Sequence, residues 1–493
     1  MQSWPKQPVI YLINTWVWLN ELRPTPGIDA TLATVPEAEW DRIARLGMDA
    51  VWLMGVWERS PMGKDISSKN RELMASFSAT LPDYREKDNV GSAYCIRRYE
   101  VDEHLGGAKG LIAARQALAR RGIRLILDFV PNHVAPDHPW AAAHPEYFIR
   151  GTPDDARTNP GAFMTVGPHV LANGRDPYFP PWPDVLQLNA FSPALRLAAS
   201  RTISTIAAQC DGVRCDMAML FLNDIFERTW AGRTGARPDS EYWTEVIGAA
   251  RQGHPGFLFM AEAYWDLEWS LQQLGFDYCY DKRLYDRMEH DDAESVRLHL
   301  LADLSYQEKL VRFIENHDEP RAATVFPREK ERAAIVIILT LPGARLLHEG
   351  QLEGRKVRVP VFLSRRPDEP PDRELEDFSR NLLAATAREP LRSGTWSLCD
   401  RRGWPDNRSF LNILAWCWEK EDARTLVVVN FSGTPSQTLV RTPWEDLRGK
   451  GVRLEDRLTG EAFDRPGDEV AGNGLFVSLP AWKWHFLDVR PTL

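Results

Sequence analysis

The sequence predicts an α/β protein: a parallel (β/α)8, or TIM, barrel with an inserted domain after strand 3 and a C-terminal antiparallel β domain. Three observations carry that prediction. Strand-like and helix-like patterns alternate from the start of the chain to about residue 390, as a barrel of βα units requires. Four short stretches at the ends of apolar runs place polar residues where the carboxyl rim of a parallel barrel would lie. They are Asp128-Phe129-Val130-Pro131-Asn132-His133, Gly212-Val213-Arg214-Cys215-Asp216, Met260-Ala261-Glu262 and Glu315-Asn316-His317-Asp318. From about Gly394 the pattern changes to short strands separated by turn signals.

The elements follow in order. Val9 to Trp16 reads as strand one. The first helix begins near Thr34-Val35-Pro36-Glu37, with Thr34 able to cap, Pro36 suited to the first turn and Glu37 favoured by the helix dipole. Trp40, Ile43, Ala44 and Leu46 keep helical spacing and Gly47 stops the helix. Ala50 to Trp57 is strand two, and the helix Ala108 to Arg121 ends at Gly122 and feeds strand three, which carries Asp128. A Pro-, Trp- and Asp-rich excursion, about Ala135 to Asn189, is too long for an inert loop. The helix Ser192 to Gln209 leads to strand four, where alternation puts Arg214 and Asp216 on the inward face and Cys215 outward as a packing thiol. Phe257 to Ala263, Phe276 to Tyr280, Leu310 to Ile314 and Ala344 to His348 give strands five to eight. The helices Arg328 to Leu341 and Arg373 to Arg388 fit the last crossovers. Thr425 to Phe431, Val452 to Arg457 and Gly474 to Leu479 are strands of the terminal domain. The expected domains are therefore residues 1–134 with 190–392 for the catalytic barrel, 135–189 for the insertion lining the cleft, and 393–493 for a β-sandwich.

At 493 residues the chain exceeds the usual size of one core. Its net charge of −9 is spread along the sequence, which argues against a nucleic-acid or anionic-membrane partner. No apolar run approaches the roughly 18 residues of a membrane span, and the N-terminus has no signal-peptide pattern. The six cysteines show no CxxC pair or disulfide spacing, so a reducing, cytoplasmic setting is expected. The 19 tryptophans suit both packing and stacking on sugar rings; in the terminal domain Trp404, Trp416, Trp482 and Trp484 leave that second use open.

Two carboxylates about 5 Å apart on a barrel rim are what retaining cleavage of a glycosidic bond requires, so the layout points to sugar chemistry. Arg214, two residues before Asp216, can hold that carboxylate ionised. Glu262 follows the apolar run Phe257 to Met260, whose desolvation would favour a protonated acid. The four stretches, in this order, resemble the motif regions of the α-amylase superfamily, glycoside hydrolase family 13, over nearly the whole chain. The resemblance implies a nucleophile at Asp216, a general acid/base at Glu262 and a stabiliser of the distorted sugar at Asp318. It implies substrate or orienting roles for Arg214, His133, His317 and Asp128, and a stacking tyrosine at Tyr94. The expected activity is retaining cleavage of α-glucosidic bonds in an α-linked oligo- or polysaccharide. The alternative is a transglycosidase or sugar isomerase of the trehalose-synthase kind, and the remote alternative an inactive carbohydrate-binding scaffold. Glu319, after His317-Asp318, occurs in some sugar-rearranging relatives of this kind.

The chain departs from the family pattern in places. Cys95 follows Tyr94 where the family commonly has Asp, and Met219 and Leu220 stand where amylases often show Lys-His. That histidine usually lends a calcium ligand, so no metal and no cofactor is expected; calcium is kept only as an option involving Asn132 with Asp154, Asp155, Asp176 or Asp184. The irregular spacing of His138, His144 and His169 does not read as a zinc site. Leu347-His348-Glu349-Gly350-Gln351 also differs from the common amylase pattern, and is followed by Arg355, Lys356, Arg358, Arg365 and Arg366. These cations are expected to be loop charges partly paired with Glu353 and Asp368; the sharper reading is that residues 355–366 accept an anionic sugar. Oligomeric state is not readable from the sequence.

Overall fold

Eight apolar runs close into a barrel in the computed structural model, which describes residues 3–23 and 29–492. The barrel strands are β1 (Val9–Asn14), β2 (Ala50–Met54), β3 (Arg124–Phe129), β4 (Gly212–Cys215), β5 (Leu258–Ala261), β6 (Tyr278–Tyr280), β7 (Leu310–Arg312) and β8 (Ala344–His348). Their order around the ring is β1-β8-β7-β6-β5-β4-β3-β2. Register matters most at β4, where Arg214 lies opposite Asp128 of β3 on one side and Met260 of β5 on the other.

Four strands end earlier than their apolar runs predict: β5 at Ala261, β7 at Arg312, and β1 and β2, the last two for local reasons. β1 stops at Asn14, whose side chain accepts a hydrogen bond from the Val17 amide and starts the helix Thr15–Glu21. β2 stops at Met54 because Gly55 takes φ +76°, open to glycine and strained for most residues. Trp57–Arg59 then forms a separate strand antiparallel to Ile96–Val101. The first predicted helix is Glu37–Arg45; Pro36 occupies the cap position and Thr34 instead accepts from the Thr31 amide at 2.8 Å. Ser192 caps Pro193–Ala207 through the Leu195 amide. The excursion after β3 opens with His133–Val134 paired to Leu186–Gln187 and carries the hairpin Phe163–Val166 with His169–Ala172.

The chain divides into two compact units. The first comprises Met1–Ser3, Tyr11–Tyr280 and Val357–Asp368; the second comprises Trp4–Ile10, Asp281–Lys356 and Glu369–Leu493. Within the first, the segment 357–368 is strapped down by its charges and its apolar residues. Arg365 pairs with Asp83 at 2.9 Å and Asp88 at 2.8 Å, and Arg366 pairs with Glu21 at 2.9 Å. Phe362 and Leu363 pack with Phe77 and Leu81. Arg365 and Arg366 thus find acids remote in sequence, where Glu353 and Asp368 were the expected partners.

In the second unit the helix Arg328–Thr340 is buried continuously from Ala333 onward. Trp418 donates from Nε1 to the Thr340 carbonyl at 2.7 Å and ties that helix to the terminal domain. The domain is antiparallel: one sheet holds six strands and a second holds Asp400–Arg402, Ser436–Arg441 and Leu475–Leu479. Ile413, Leu426, Val428, Val440, Val452 and Val477 belong to one buried core. Trp416 is fully buried, whereas Trp404, Trp482 and Trp484 are half-buried against Phe476, Phe431 and Phe378. Among the described residues no helix is long and apolar enough to cross a membrane.

Two predictions follow from this packing. Gly343 has φ +105°, and a Cβ there would lie 2.3 Å from the Leu310 carbonyl oxygen at the start of β7. Gly343→Ala is expected to cost about 2–4 kcal/mol, seen as a lower urea midpoint; an unchanged midpoint contradicts this account of the β7–β8 approach. Burial pushes His133 down to about 4 and His138 down to about 3. Their unfolded forms take up protons near 6.5, so the unfolded state binds more protons as pH falls below 6.5 and stability is lost between 6.5 and 4. Asp184, pushed up to about 6 by burial, contributes with the opposite sign in that window. The clean reading is therefore a difference: His133→Gln should flatten the acid loss by about 1.4 kcal/mol per pH unit relative to wild type. Parallel stability–pH curves for the two proteins would show that His133 titrates normally.

Candidate active site

The ends of β3, β4 and β5 build the centre of the first unit. The parallel ladder runs on past the strands: the Asp216 amide donates to the Phe129 carbonyl at 2.9 Å and the Glu262 amide to the Cys215 carbonyl at 3.0 Å. These bonds bring the two carboxylates to neighbouring strand ends. Between them lies the Arg214 guanidinium, fully buried beneath the rings of Tyr94, Trp52 and Tyr280 at 5.1, 5.4 and 5.9 Å. Its Nη1 is 2.6 Å from Asp216 Oδ1 and its Nη2 is 2.7 Å from Glu262 Oε2. Asp128 Oδ1 lies 3.9 Å from Nη1. Burial alone would push Arg214 down; Glu262 first, then the phenols of Tyr94 and Tyr280 and the Asp216 carboxylate, overrule it and hold the guanidinium well above its usual range.

Two further donors hold Glu262 besides Arg214. Its Oε2 also accepts from the Met217 amide at 2.6 Å and its Oε1 accepts from the Tyr264 hydroxyl at 2.8 Å. To present that amide, Met217 takes the left-handed conformation at φ 42°, and Trp265 and Asp266 do the same at φ 64° and 61°. Non-glycine residues in that region store strain of about 1–3 kcal/mol each, and such strain gathers at functional sites.

The other predicted residues of this unit are placed as follows. Asp128 is buried and accepts from the Gly55 amide at 3.1 Å, while its carbonyl accepts from Trp57 Nε1. His133 is buried, with its ring edge-on to Trp182 at 5.3 Å, and is held neutral by burial. Tyr94 sits over Arg214, half-buried. Cys95 after it is buried under the helix Pro61–Lys69, so close that a Cβ on Gly63 would fall 2.4 Å from its Sγ. Cys215 is buried and its thiol is pushed well up by burial, as a packing residue would be.

Asp318 and His317 belong to the second unit. Asn316 Oδ1 accepts from the Asp318 and Glu319 amides at 2.8 and 3.0 Å, which shapes the turn after β7. His317 is buried with Nε2 3.0 Å from Asp318 Oδ2, and the Asp318 side chain is 43% exposed. Glu319 pairs with Lys282 at 3.3 Å, and burial pushes its carboxyl up. Buried Glu315 lies 3.0 Å from His348 Nδ1 and 3.1 Å from Arg321, so the departure at the end of β8 serves a buried charge network. The sequence reading missed Tyr264, Tyr280, the Met217 amide and the Glu315–Arg321–His348 group. Tyr264 carried a usable signal, since it shares the alternation of Glu262 two residues on.

Four of the five candidate calcium ligands are engaged by partners within the protein. Asn132 Oδ1 accepts from Gln187 Nε2 at 2.9 Å, and Asp176 Oδ1 accepts from the Tyr178 and Phe179 amides. The Asp155 carboxylate accepts from the Thr152 amide at 2.8 Å and pairs with Arg233, and Asp154 pairs with Arg157. His138 accepts from the Trp140 amide, and His144 pairs with Glu146. Among the described residues no group of three or more His, Cys, Asp or Glu gathers to hold a metal ion.

The chain is similar to known α-amylases in sequence and in fold. The α-amylase catalytic-domain family model matches residues 38–165. The α-amylase MalA of Haloarcula japonica is 25% identical over 479 residues, covering 94% of this chain and 60% of that protein. An α-1,4-glucan:maltose-1-phosphate maltosyltransferase of Mycolicibacterium smegmatis is 32% identical over 174 residues, 34% of this chain and 22% of the relative. The chain thus spans less than two thirds of the length of these relatives. The maltogenic α-amylase AmyB of Thermotoga neapolitana superposes with a TM-score of 0.69 at 18% identity, covering 98% of both chains, a likeness that establishes the fold. With the four motif stretches at the strand ends of a closed parallel barrel, these matches support membership of the α-amylase superfamily, glycoside hydrolase family 13.

Proposed function

We propose that this protein is a retaining α-glycosidase that cleaves α-glucosidic bonds in oligo- or polysaccharides through a covalent intermediate on Asp216. The observation that carries the reading is Arg214, one guanidinium in contact with both Asp216 and Glu262. A single guanidinium spanning two carboxylates keeps them close together, in keeping with the roughly 5 Å of a retaining pair. Arg214 keeps Asp216 ionised for attack on the anomeric carbon. As the glycosidic C–O bond breaks, the departing oxygen takes its proton from Glu262; Glu262 then removes a proton from the water that releases the sugar from Asp216. For that first transfer the glycosidic oxygen has to replace Arg214 or Tyr264 as the partner of Glu262. Asp318 takes the role of holding hydroxyls of the distorted ring. Tyr94, His133, His317 and Asp128 shape the subsite, His133 as a neutral imidazole.

Glycosyl transfer to a second sugar is the other reading, supported by three relatives named as maltose-1-phosphate maltosyltransferases. An inactive scaffold is disfavoured by the intact carboxylate–arginine cluster. Solved relatives of the same fold are titled as complexes with acarbose and with maltose, in keeping with α-glucan substrates. A cytoplasmic setting accords with six cysteines that are all buried and unpaired. The net charge of −9 disfavours nucleic acid or an anionic membrane as partner.

Incubation with maltooligosaccharides, followed by anomeric NMR and mass analysis, tests the reading. The α-anomer should appear first, and Asp216→Asn should lower kcat by about 10⁴-fold or more. A fluorinated glucosyl donor should label Asp216. Longer oligomers or isomers in place of reducing sugar would establish transfer; initial release of the β-anomer, or an active Asp216→Asn variant, would overturn the covalent mechanism.

A further inference from the structure

A cavity of about 520 Å³ in the first unit collects more positive charge than its own carboxylates balance. Trp16 enters from the helix after β1, Arg59 and Lys64 from the segment after β2, and Lys87 from the turn Glu86–Asp88. Four cations line it, Arg23 included, against two carboxylates, Asp29 and Asp102, in a protein of net charge −9. Both carboxylates are already engaged: Asp29 pairs with Arg23 at 2.9 Å, and Asp102 accepts from the His104 amide and lies 2.9 Å from its ring. Among the described residues Arg59, Lys64 and Lys87 form no ion pair at 4.0 Å or less.

Arg59 is the least expected of the three. It is 6% exposed, its Nη1 donates to the carbonyls of Gly91 and Val361 at 2.6 and 2.9 Å, and its guanidinium lies 5.2 Å from the centre of the Trp16 ring. Its Nε and Nη2 are buried without a hydrogen-bond partner. Burial pushes it down to about 10, outweighing the opposing pull of Asp102 and Asp128. A buried cation without a counter-ion is costly, and a bound anion would relieve that cost. The charge also abuts the catalytic cluster: a Cβ on Gly55, whose amide holds Asp128, would lie 2.8 Å from Arg59 Nη2. Arg59 and the carboxylate cluster thus pack on opposite sides of Gly55, which sets the cavity beside the cluster while none of the cluster's residues lines it.

We propose that this cavity is a subsite for an anionic substituent, phosphate or carboxylate, borne by the sugar chain that the cluster cleaves. Lys64 and Lys87 reach the anion from the wall, while Arg59 supplies a fixed positive charge beneath it. The substrate class rests on the proposed α-glucan activity; the binding does not, so the two fail separately.

Calorimetric titration of the intact chain with glucose, glucose 6-phosphate, glucuronate and inorganic phosphate tests it. Glucose 6-phosphate or glucuronate should bind about tenfold or more tighter than glucose, and whichever does so identifies the anion. The advantage should shrink in Lys64→Ala/Lys87→Ala and in Arg59→Lys; if Arg59→Lys fails to fold, the lysine pair carries the test. Equal binding of all three sugars, or an advantage that survives removal of both lysines, overturns the proposal. Inorganic phosphate binding as tightly as glucose 6-phosphate overturns it as a sugar subsite. Inactivity on every α-glucan, with this binding intact, would sink the catalytic reading alone.

Discussion

One buried charge organises the first unit. Arg214 has no exposed surface, and the carboxylates around it offset the cost of burying its charge. The barrel meets that need through register: β4 sits between β3 and β5, so Arg214 stands opposite Asp128 while Asp216 and Glu262 leave adjacent strand ends. The arrangement ties catalysis to folding. Removing either close carboxylate would strip a buried cation of a partner, and removing Arg214 would leave two buried carboxylates facing each other. The aromatic walls of Trp52, Tyr94 and Tyr280 exclude water from the cation and so strengthen its hold on both acids.

The backbone bends to serve that charge. Met217 gives up a relaxed conformation so that its amide reaches Glu262, and Gly55 turns at positive φ so that its amide reaches Asp128. A glycine can make such a turn at little cost, whereas methionine cannot. The strain at Met217 is held in place by its surroundings: the next carbonyl, that of Ala218, accepts from buried Trp243 at 2.8 Å, and Met219 and Leu220 beyond it are packed into the core.

Much of this was legible in the sequence because a barrel strand is a short apolar run ending in chemistry. The runs at Ile123–Val130, Gly212–Met217 and Ala344–His348 need no knowledge of their neighbours to be read. What lay hidden depended on pairs distant in the chain. That Arg214 meets Glu262 as well as Asp216 follows from the β4–β5 register, which no local pattern encodes. That Arg365 meets Asp83 and Asp88 follows from where the segment 357–368 docks, and proximity in sequence favoured the wrong partners. Strand ends failed for a different reason: Asn14 and Gly55 stop β1 and β2 through a side-chain cap and a positive φ, both weaker signals than the hydrophobic run continuing beyond them.

The departures from the family pattern share a physical theme, the replacement of polar ligands by packing. Cys95 stands where a carboxylate is common and is buried against the helix Pro61–Lys69. Met219 and Leu220 stand where a lysine and a histidine are common and are also buried. Without those two polar side chains after Asp216, contacts to a sugar bound there would have to come from other residues. The loop after Glu262 has the means, since Trp265 meets Tyr178 edge-on at 4.8 Å and Phe179 and Trp269 are exposed on the same unit. Aromatic faces bind pyranose rings through their apolar sides and place few demands on hydroxyl orientation. A sugar-binding surface built this way would discriminate ring shape more than the orientation of single hydroxyls.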